Sequence, residues 1–360
     1  MARRLDEKNL TQERAFGTVK TSRARGRLVH SARRTCTFIA CVGLATVACA
    51  DSSNRSPDVA VTAAAAAPDS QKPAQAPSPT TSAPSPPFDG ARAWAHLERQ
   101  VQFGPRPSGS PALTATRQYI VEQLKALGIA VREQTFVGKT PAGDIAMANV
   151  IATIPGRRPA RLAIASHFDT KRSTAFRFVG ANDGASSTAT LLELARTLKD
   201  SQPEFTLELL FLDGEEAVNW DWAGTDNTYG SRHYVAAGQA DGSLKTLQAL
   251  ILLDMIGDRD LRIRRESMST PWLVDVVWSA ARRVGHGQTF SSELTTVDDD
   301  HVPFLRAGVP AVDIIDLDNA TWHTAQDDLA HVSRQSLQIV GDVVLAALPE
   351  IQQRLASQPR

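Results

Sequence analysis

Cysteine is almost missing from this chain. Three occur in 360 residues, Cys36, Cys41 and Cys49, and none lies beyond them. The body of the protein therefore has no disulfide, no thiol nucleophile and no cysteine-held zinc, so any metal there must be held by His, Asp and Glu. A basic surplus is missing as well. The formal net charge is zero, yet residues 1–49 carry ten Lys/Arg against three Asp/Glu, leaving 29 against 36 over residues 50–360, a net of −7. A mildly acidic body with no basic stripe gives no reason to expect nucleic acid as a partner. No internal repeat is visible, which argues against a solenoid or array.

The amino-terminal cysteines have their own context. "SARRTCTFIACVGLATVACADSS" places two arginines before an apolar run from Cys36 to Ala48, then small residues around Cys49. That order reads as an export signal, and the run is too short to span a bilayer comfortably as a helix. "LATVAC" resembles a bacterial lipoprotein processing site with Cys49 as the lipidated residue, although Thr46 stands where leucine is usual. The expected location is periplasmic or cell-surface, with possible membrane attachment through Cys49. The long stretch before Arg33 leaves the true start open. Residues 50–88 are Ala/Pro/Ser-rich and nearly free of large apolar side chains. Such a segment cannot bury enough surface to offset its ordering entropy and is expected to be a disordered linker. The globular body is then 89–360, a length that suits one α/β domain.

Along that body, apolar runs of strand type alternate with helical periodicity. The spacing predicts helices over 111–128, 185–200, 271–285 and 333–355, and strands over 129–137, 145–154, 161–166, 206–212, 247–256 and 310–317. Buried β runs alternating with amphipathic helices imply a single α/β domain, with a mostly parallel central sheet and helices on both faces.

The residues that terminate each apolar run carry the chemistry. "RLAIAS" leads to His167 and Asp169, "TLELLFL" to Asp213, Glu215 and Glu216, "LQALILL" to Asp254, and "PAVDIIDL" to His323 a few residues on. An acid after a strand is usually a turn former or a helix cap. In open α/β sheets, however, ligands gather at the carboxyl ends of the strands, so these groups converge from separate places. Two histidines, several carboxylates and the loop "GANDGASS" around Asp183 point to a metal site there. Imidazole and carboxylate are zinc's non-sulfur ligands, and a metal offsets the repulsion between adjacent Glu215 and Glu216. One carboxylate of that pair can bind metal while the other moves protons.

"FGPRPSGSPA" (103–112), "HFD" (167–169), "GANDGASS" (180–187), "GEE" (214–216), "LLDMIG" (252–257) and "WHT" (322–324) together resemble, in order, the zinc aminopeptidase superfamily. The resemblance covers about 100 to 330. It implies His167, Asp183, Glu216, Asp254 and His323 as metal residues and Glu215 as general base. Within the superfamily, "FLDGEEAVNWDW" with "DNTYGSRHYV", the Asp299 of "VDDDHVPFLRAGVPA", "HFDTK" and the Trp322–His323 pair look more like glutaminyl-peptide cyclotransferases.

That closer resemblance implies one zinc on Asp183, Glu216 and His323, with two zincs possible because His167 and Asp254 are both present. It further implies Glu215, Asp254 and Asp299 as the acids of catalysis, and Trp220 and Trp322 as pocket walls. Peptides or proteins with a free N-terminus would be the substrates. "GANDGASS" stands closer to the peptidase wording. A two-metal aminopeptidase with a water nucleophile is the alternative, and a non-catalytic binding ectodomain is a third reading, opposed by the intact Glu215 and full ligand set. Trp222, Trp272 and Trp278 read as packing, Asp298 as a solvated turn, and Asp300 as orienting a ligand or loop. His233, His286, His301 and His331 read as structural. Lys171 and Arg232 match family motifs without a role that the residues themselves define.

Overall fold

A computed structural model describes residues 87–357. The export signal, Cys49 and all but the end of the linker lie outside the described residues.

Six strands form the central sheet: β1 (Ala130–Thr140), β2 (Gly143–Ile154), β3 (Arg158–His167), β4 (Phe205–Leu212), β5 (Leu247–Asp254) and β8 (Ala311–Ile315), in the order β1-β2-β4-β3-β5-β8. From β4 to β8 the neighbours are parallel, while β1 and β2 form an antiparallel hairpin that adds to β4. Parallel strands need crossovers, and helices supply them. These include α3 (Ala185–Leu198) between β3 and β4, and α4 (Tyr229–Ala240) between β4 and β5. A separate parallel pair, β6 (Ile263–Glu266) and β7 (Phe290–Thr295), brackets α5 (Pro271–Arg283). Helix α6 (His301–Arg306) precedes β8, and α7 (Arg334–Ala356) closes the fold.

Strand side chains alternate between faces, so a parallel strand covered on both sides must be apolar throughout. In β4, Leu207, Leu209 and Phe211 enter the larger core under α3, α5 and α7, while Leu210 and Leu212 face α4 and α6. In β5, Ala249, Ile251 and Leu253 take the first side, Leu250 and Leu252 the second. Two more helices, α1 (Gly90–Phe103) and α2 (Pro111–Ala126), complete the larger layer. Ser110 caps α2 by accepting from Leu113 N–H, and Pro111 at its first turn has no N–H to leave unpaired.

The strands end where the apolar runs led one to expect, within a few residues. Helices α1, α4 and α6 and the β6–β7 pair were not anticipated. Phe88, placed in the linker by composition, is buried in the larger core instead.

Candidate metal and catalytic centre

The carboxyl ends of β4, β5 and β8 meet at one cavity of about 470 Å³, whose lining includes Asp183, Glu215, Glu216, Asp254, Asp299 and His323. His167 is the final residue of β3, and Thr188 Oγ donates to its carbonyl at 2.7 Å. Asp254 ends β5, and one of its oxygens accepts from the next amide, Met255 N–H, at 2.8 Å. After β4 the chain turns at Gly214 into the glutamate pair. Asp169 holds that pair by its main chain, accepting Glu215 N–H at 3.2 Å and Glu216 N–H at 3.3 Å. Asp183 lies just before α3, and Asp327 grips the loop by accepting Asn182 N–H at 2.6 Å and Asp183 N–H at 3.1 Å. Gly184 comes next with φ +84°, and a Cβ there would stand 2.5 Å from the Asp169 carbonyl oxygen and 3.1 Å from the His167 ring. Only glycine fits that turn.

His323 sits in the loop after β8 with φ +53°, and Met255 beside Asp254 has φ +45°. Non-glycine residues in this region carry strain that the surrounding structure must hold. For His323 the hold is aromatic. Trp322 stacks on its ring at 4.4 Å, Phe178 meets it edge-on at 5.8 Å, and Trp220 lies 5.7 Å away.

The donors form two sets that meet at Asp183. Its Oδ1 is 3.3 Å from His167 Nε2, which is itself 3.0 Å from Asp254 Oδ1. Its Oδ2 is 3.4 Å from His323 Nε2, which is 3.1 Å from Glu216 Oε1. Each set offers one nitrogen and two carboxylate oxygens within 4.8 Å of one another. Asp183 Oδ2 and Glu216 Oε2 are buried without a hydrogen-bond partner. Buried polar atoms are rarely left so, and a cation among them resolves the deficit. A divalent metal of zinc's ligand preference therefore fits these residues.

Electrostatics say the same. Burial raises the Glu215 carboxyl well above its ordinary value, and Glu216, Asp299 and Asp254 add to this while His167 opposes. Burial and then Asp183 raise Glu216. Asp299 is raised well above the carboxylate range by burial and by Asp254. Burial lowers the His323 imidazole, but its contacts with Asp183 and Glu216 win and push it up to about 10. So many acids in one dry place await a positive charge. Lys171 supplies a little. Buried, it donates to the Ala217 carbonyl at 3.0 Å and stands 3.5 Å from Glu216 Oε2.

Every residue singled out in the sequence for metal, catalysis or pocket thus reaches one place, His167 from just behind the cavity wall. Trp220 and Trp322 stand at the mouth, 50% and 47% exposed. One reading needs correcting: Trp222 lines the cavity rather than serving packing alone. His301, read as structural, is wholly buried between Glu266 and Asp313, neither of which was singled out. Asp313 sits inside a run that reads as plain buried strand, and only an acid at a fully apolar position hinted at it. Asp169 and Asp327 hold the site by main-chain contacts that spacing does not reveal. Asp300 accepts from Ser231 Oγ in α4, and Arg232 donates to the Asn227 and Thr225 carbonyls.

Comparison with known proteins agrees with this geometry. Residues 149–348 match peptidase family M28. The glutaminyl-peptide cyclotransferase of Bos taurus is 32% identical over 269 residues, 64% of this chain and 74% of that one. Among solved structures, a glutaminyl cyclase from an Acidobacteriales bacterium superposes with a TM-score of 0.72 at 38% identity, covering 78% of this chain and all of its own. One described as a leucine aminopeptidase precursor, from Bacteroides thetaiotaomicron, does so at 0.68 and 30%, covering 73% of this chain and 98% of its own. The chain belongs to peptidase family M28 and, within it, to the glutaminyl-peptide cyclotransferases.

Proposed function

We propose that the protein is a zinc-dependent enzyme that closes an N-terminal glutamine of a peptide or protein to pyroglutamate and releases ammonia. The observation that carries this reading is the cavity itself. Three acids, Glu215, Asp254 and Asp299, face it together with Asp183, Glu216 and His323, behind a mouth of half-exposed tryptophans.

Zinc held by Asp183, Glu216 and His323 would supply a Lewis acid for the substrate's γ-carbonyl. One zinc is favoured because the Asp183, Glu216 and His323 set lines the cavity while His167 does not. The substrate's α-amine attacks its own γ-carboxamide carbon, so a C–N bond forms, the bond to the amide nitrogen breaks, and ammonia leaves. Glu215 accepts a proton from the attacking amine and returns it to the leaving nitrogen. Asp254 and Asp299 hold that nitrogen by hydrogen bonds. Trp220 and Trp322 fold the side chain toward its amine, which replaces a bimolecular encounter by an intramolecular one.

The second donor set, His167, Asp183 and Asp254, supports a two-metal aminopeptidase as the other reading. The test is ammonia release from a glutamine-initiated peptide, beside leucine release from a leucine-initiated one. Both are followed before and after removal of metal by a chelator and return of zinc. Zinc-restored ammonia release with no free leucine supports the cyclase; free leucine supports the peptidase. Export and lipidation at Cys49 belong to this proposal too. They are tested by Cys49→Ser, which should move the protein from the membrane fraction to the soluble one.

A further inference from the structure

Strand β7 leads straight to the cavity. Soon after its last residue, Thr295, the consecutive Val297, Asp298 and Asp299 all line that cavity, Val297 half-buried and Asp298 exposed. β7 is paired along one edge only, by β6, and β6 in turn lies beside β8 of the central sheet. The Thr289 carbonyl accepts Ile263 N–H at 2.9 Å and the Thr295 carbonyl accepts Ser267 N–H at 2.9 Å, so the odd-numbered residues turn their main chain to β6. Between them, the Ser291 carbonyl accepts from Trp278 Nε1 at 2.6 Å and Glu293 N–H donates to Ser291 Oγ at 3.2 Å. Successive residues of a strand send N–H and C=O to opposite edges, so Leu294 and Thr296 present theirs on the other side. Among the described residues, no hydrogen bond takes those groups.

An open edge is usually blunted by proline, lysine or a bulge, since it invites another chain to pair. From Ser291 to Thr296 there is no proline and no lysine, and the one register shift falls before Leu294. The single charge, Glu293, is drawn back by Arg262 and Arg264. What remains is serine, threonine and Leu294, an apolar side chain left 69% exposed. Direction follows from the chain itself. β7 runs toward the cavity, whereas a peptide whose first residue occupies the cavity runs away from it. A peptide on this edge is therefore antiparallel to β7, and in an antiparallel ladder only alternate residues exchange hydrogen bonds with a given neighbour.

We propose that the free edge of β7 carries the substrate's continuing chain, which adds to it as an antiparallel strand bonded main chain to main chain at Leu294 and Thr296. The proposal rests on the cyclase reading, which puts the terminal glutamine in the cavity. It narrows the substrate class to extended, unstructured amino termini of about six residues or more, the reach of a strand from Asp299 back to Leu294. Main-chain pairing gives affinity with little regard to sequence, and the Leu294 side chain is covered in the process. Contacts so far from the reacting atoms act alike on bound substrate and transition state, so they lower KM and leave kcat.

The test uses the full-length, zinc-loaded protein and glutamine-initiated peptides, from the dipeptide amide to the octapeptide amide. Over that series kcat/KM should rise about tenfold or more, as a few added hydrogen bonds would give. The gain should lie in KM, with kcat constant within about twofold. Single N-methyl groups are then walked along the octapeptide from its third residue. Methylation at alternate residues should cancel most of the gain, and methylation at those between should leave it. Leu294→Pro removes an outward N–H without removing a bond to β6, so it should bring the octapeptide-to-dipeptide ratio toward one. A gain that methylation erodes evenly would assign the effect to side chains and overturns the proposal. If Leu294→Pro does not fold, the methyl scan on wild type decides alone. Wild-type protein that forms no pyroglutamate from any peptide contradicts the functional reading and takes this inference with it. An active wild type indifferent to peptide length contradicts this inference alone.

Discussion

The body of the central sheet and its carboxyl end are built from the same strands on opposite terms. Within β3, β4 and β5 the side chains of Leu162, Ile164, Leu209, Leu210, Ile251 and Leu252 are buried against apolar neighbours on two faces. A few residues further, the same strands deliver His167, Glu215, Glu216 and Asp254, just as thoroughly buried. In the first region burial is the stabilising force. In the second it opposes the charged form of nearly every group, and the protein keeps these groups there nonetheless. Stability and chemistry have been allotted to different ends of the same strands, a separation often seen where a site stores unfavourable electrostatics.

The largest effect should come from breaking the contrast at the carboxyl end. Glu215→Gln keeps shape and removes the base, so kcat should fall by about 10²- to 10⁴-fold. Zinc binding should persist, because Glu215 is not in the Asp183, Glu216 and His323 set. The metal-free variant should melt higher than metal-free wild type, since a carboxyl disfavoured by burial has gone. Lower melting with equal loss of zinc would place Glu215 among the ligands.

The opposite break is Ile251→Ala in β5, wholly buried in the larger core. Cavity formation there should cost about 2–5 kcal/mol in unfolding free energy. The kcat of the remaining folded protein should be unchanged within about twofold. Denaturant unfolding and initial rates on one preparation decide it, and a kcat loss as large as that of Glu215→Gln would erase the division of labour.

The smallest effect concerns pH in the metal-free protein. Burial and the charge of Asp169 push Asp213 up to about 7, and burial with Asp183 does the same to Asp327. Their unfolded values lie near 3.8. Between those limits the native state holds protons that the unfolded chain has released, so stability falls as pH rises. His323, raised to about 10 from 6.5, carries the same sign above neutrality. Glu266, held at about 2, acts oppositely but only as pH falls below its ordinary 4.5. The melting temperature in chelator should decline from pH about 5 to about 8, and saturating zinc should flatten the upper part of that decline. A rise across that interval would contradict the electrostatic account.

The sequence was most legible where side-chain pattern decides structure. Uninterrupted runs such as "TLELLFL" admit little besides a buried strand, and the acids at their ends could be found by asking what stops each run. It was least legible where tertiary contact decides. Helix α4 is rich in residues that do not favour helices, among them Gly230 and Ser231. It forms because Gly230 lets it press onto Asp213, where a Cβ would stand 2.6 Å from the carbonyl oxygen. Helix α1 shows only a narrow stripe, Ala93, Leu97 and Val101, and is held by packing on α3 and α7. Phe88 comes after a Pro/Ser tract and took on its character until the fold showed its packing partners. The buried acids Glu266 and Asp313 were hidden for a related reason, each standing inside a strand whose own pattern explains it.

The most direct test of the central claim, that the carboxyl-end acids turn the substrate's own amine on its side chain, is cyclisation in heavy-oxygen water. A glutamine-initiated peptide is incubated with the zinc-loaded protein and its product weighed. The expected product has lost one ammonia and carries no heavy oxygen, because no water enters the new bond. A product that has gained heavy oxygen, whether glutamate at the first position or a residue cut from the chain, would show that water is the nucleophile and would contradict the account.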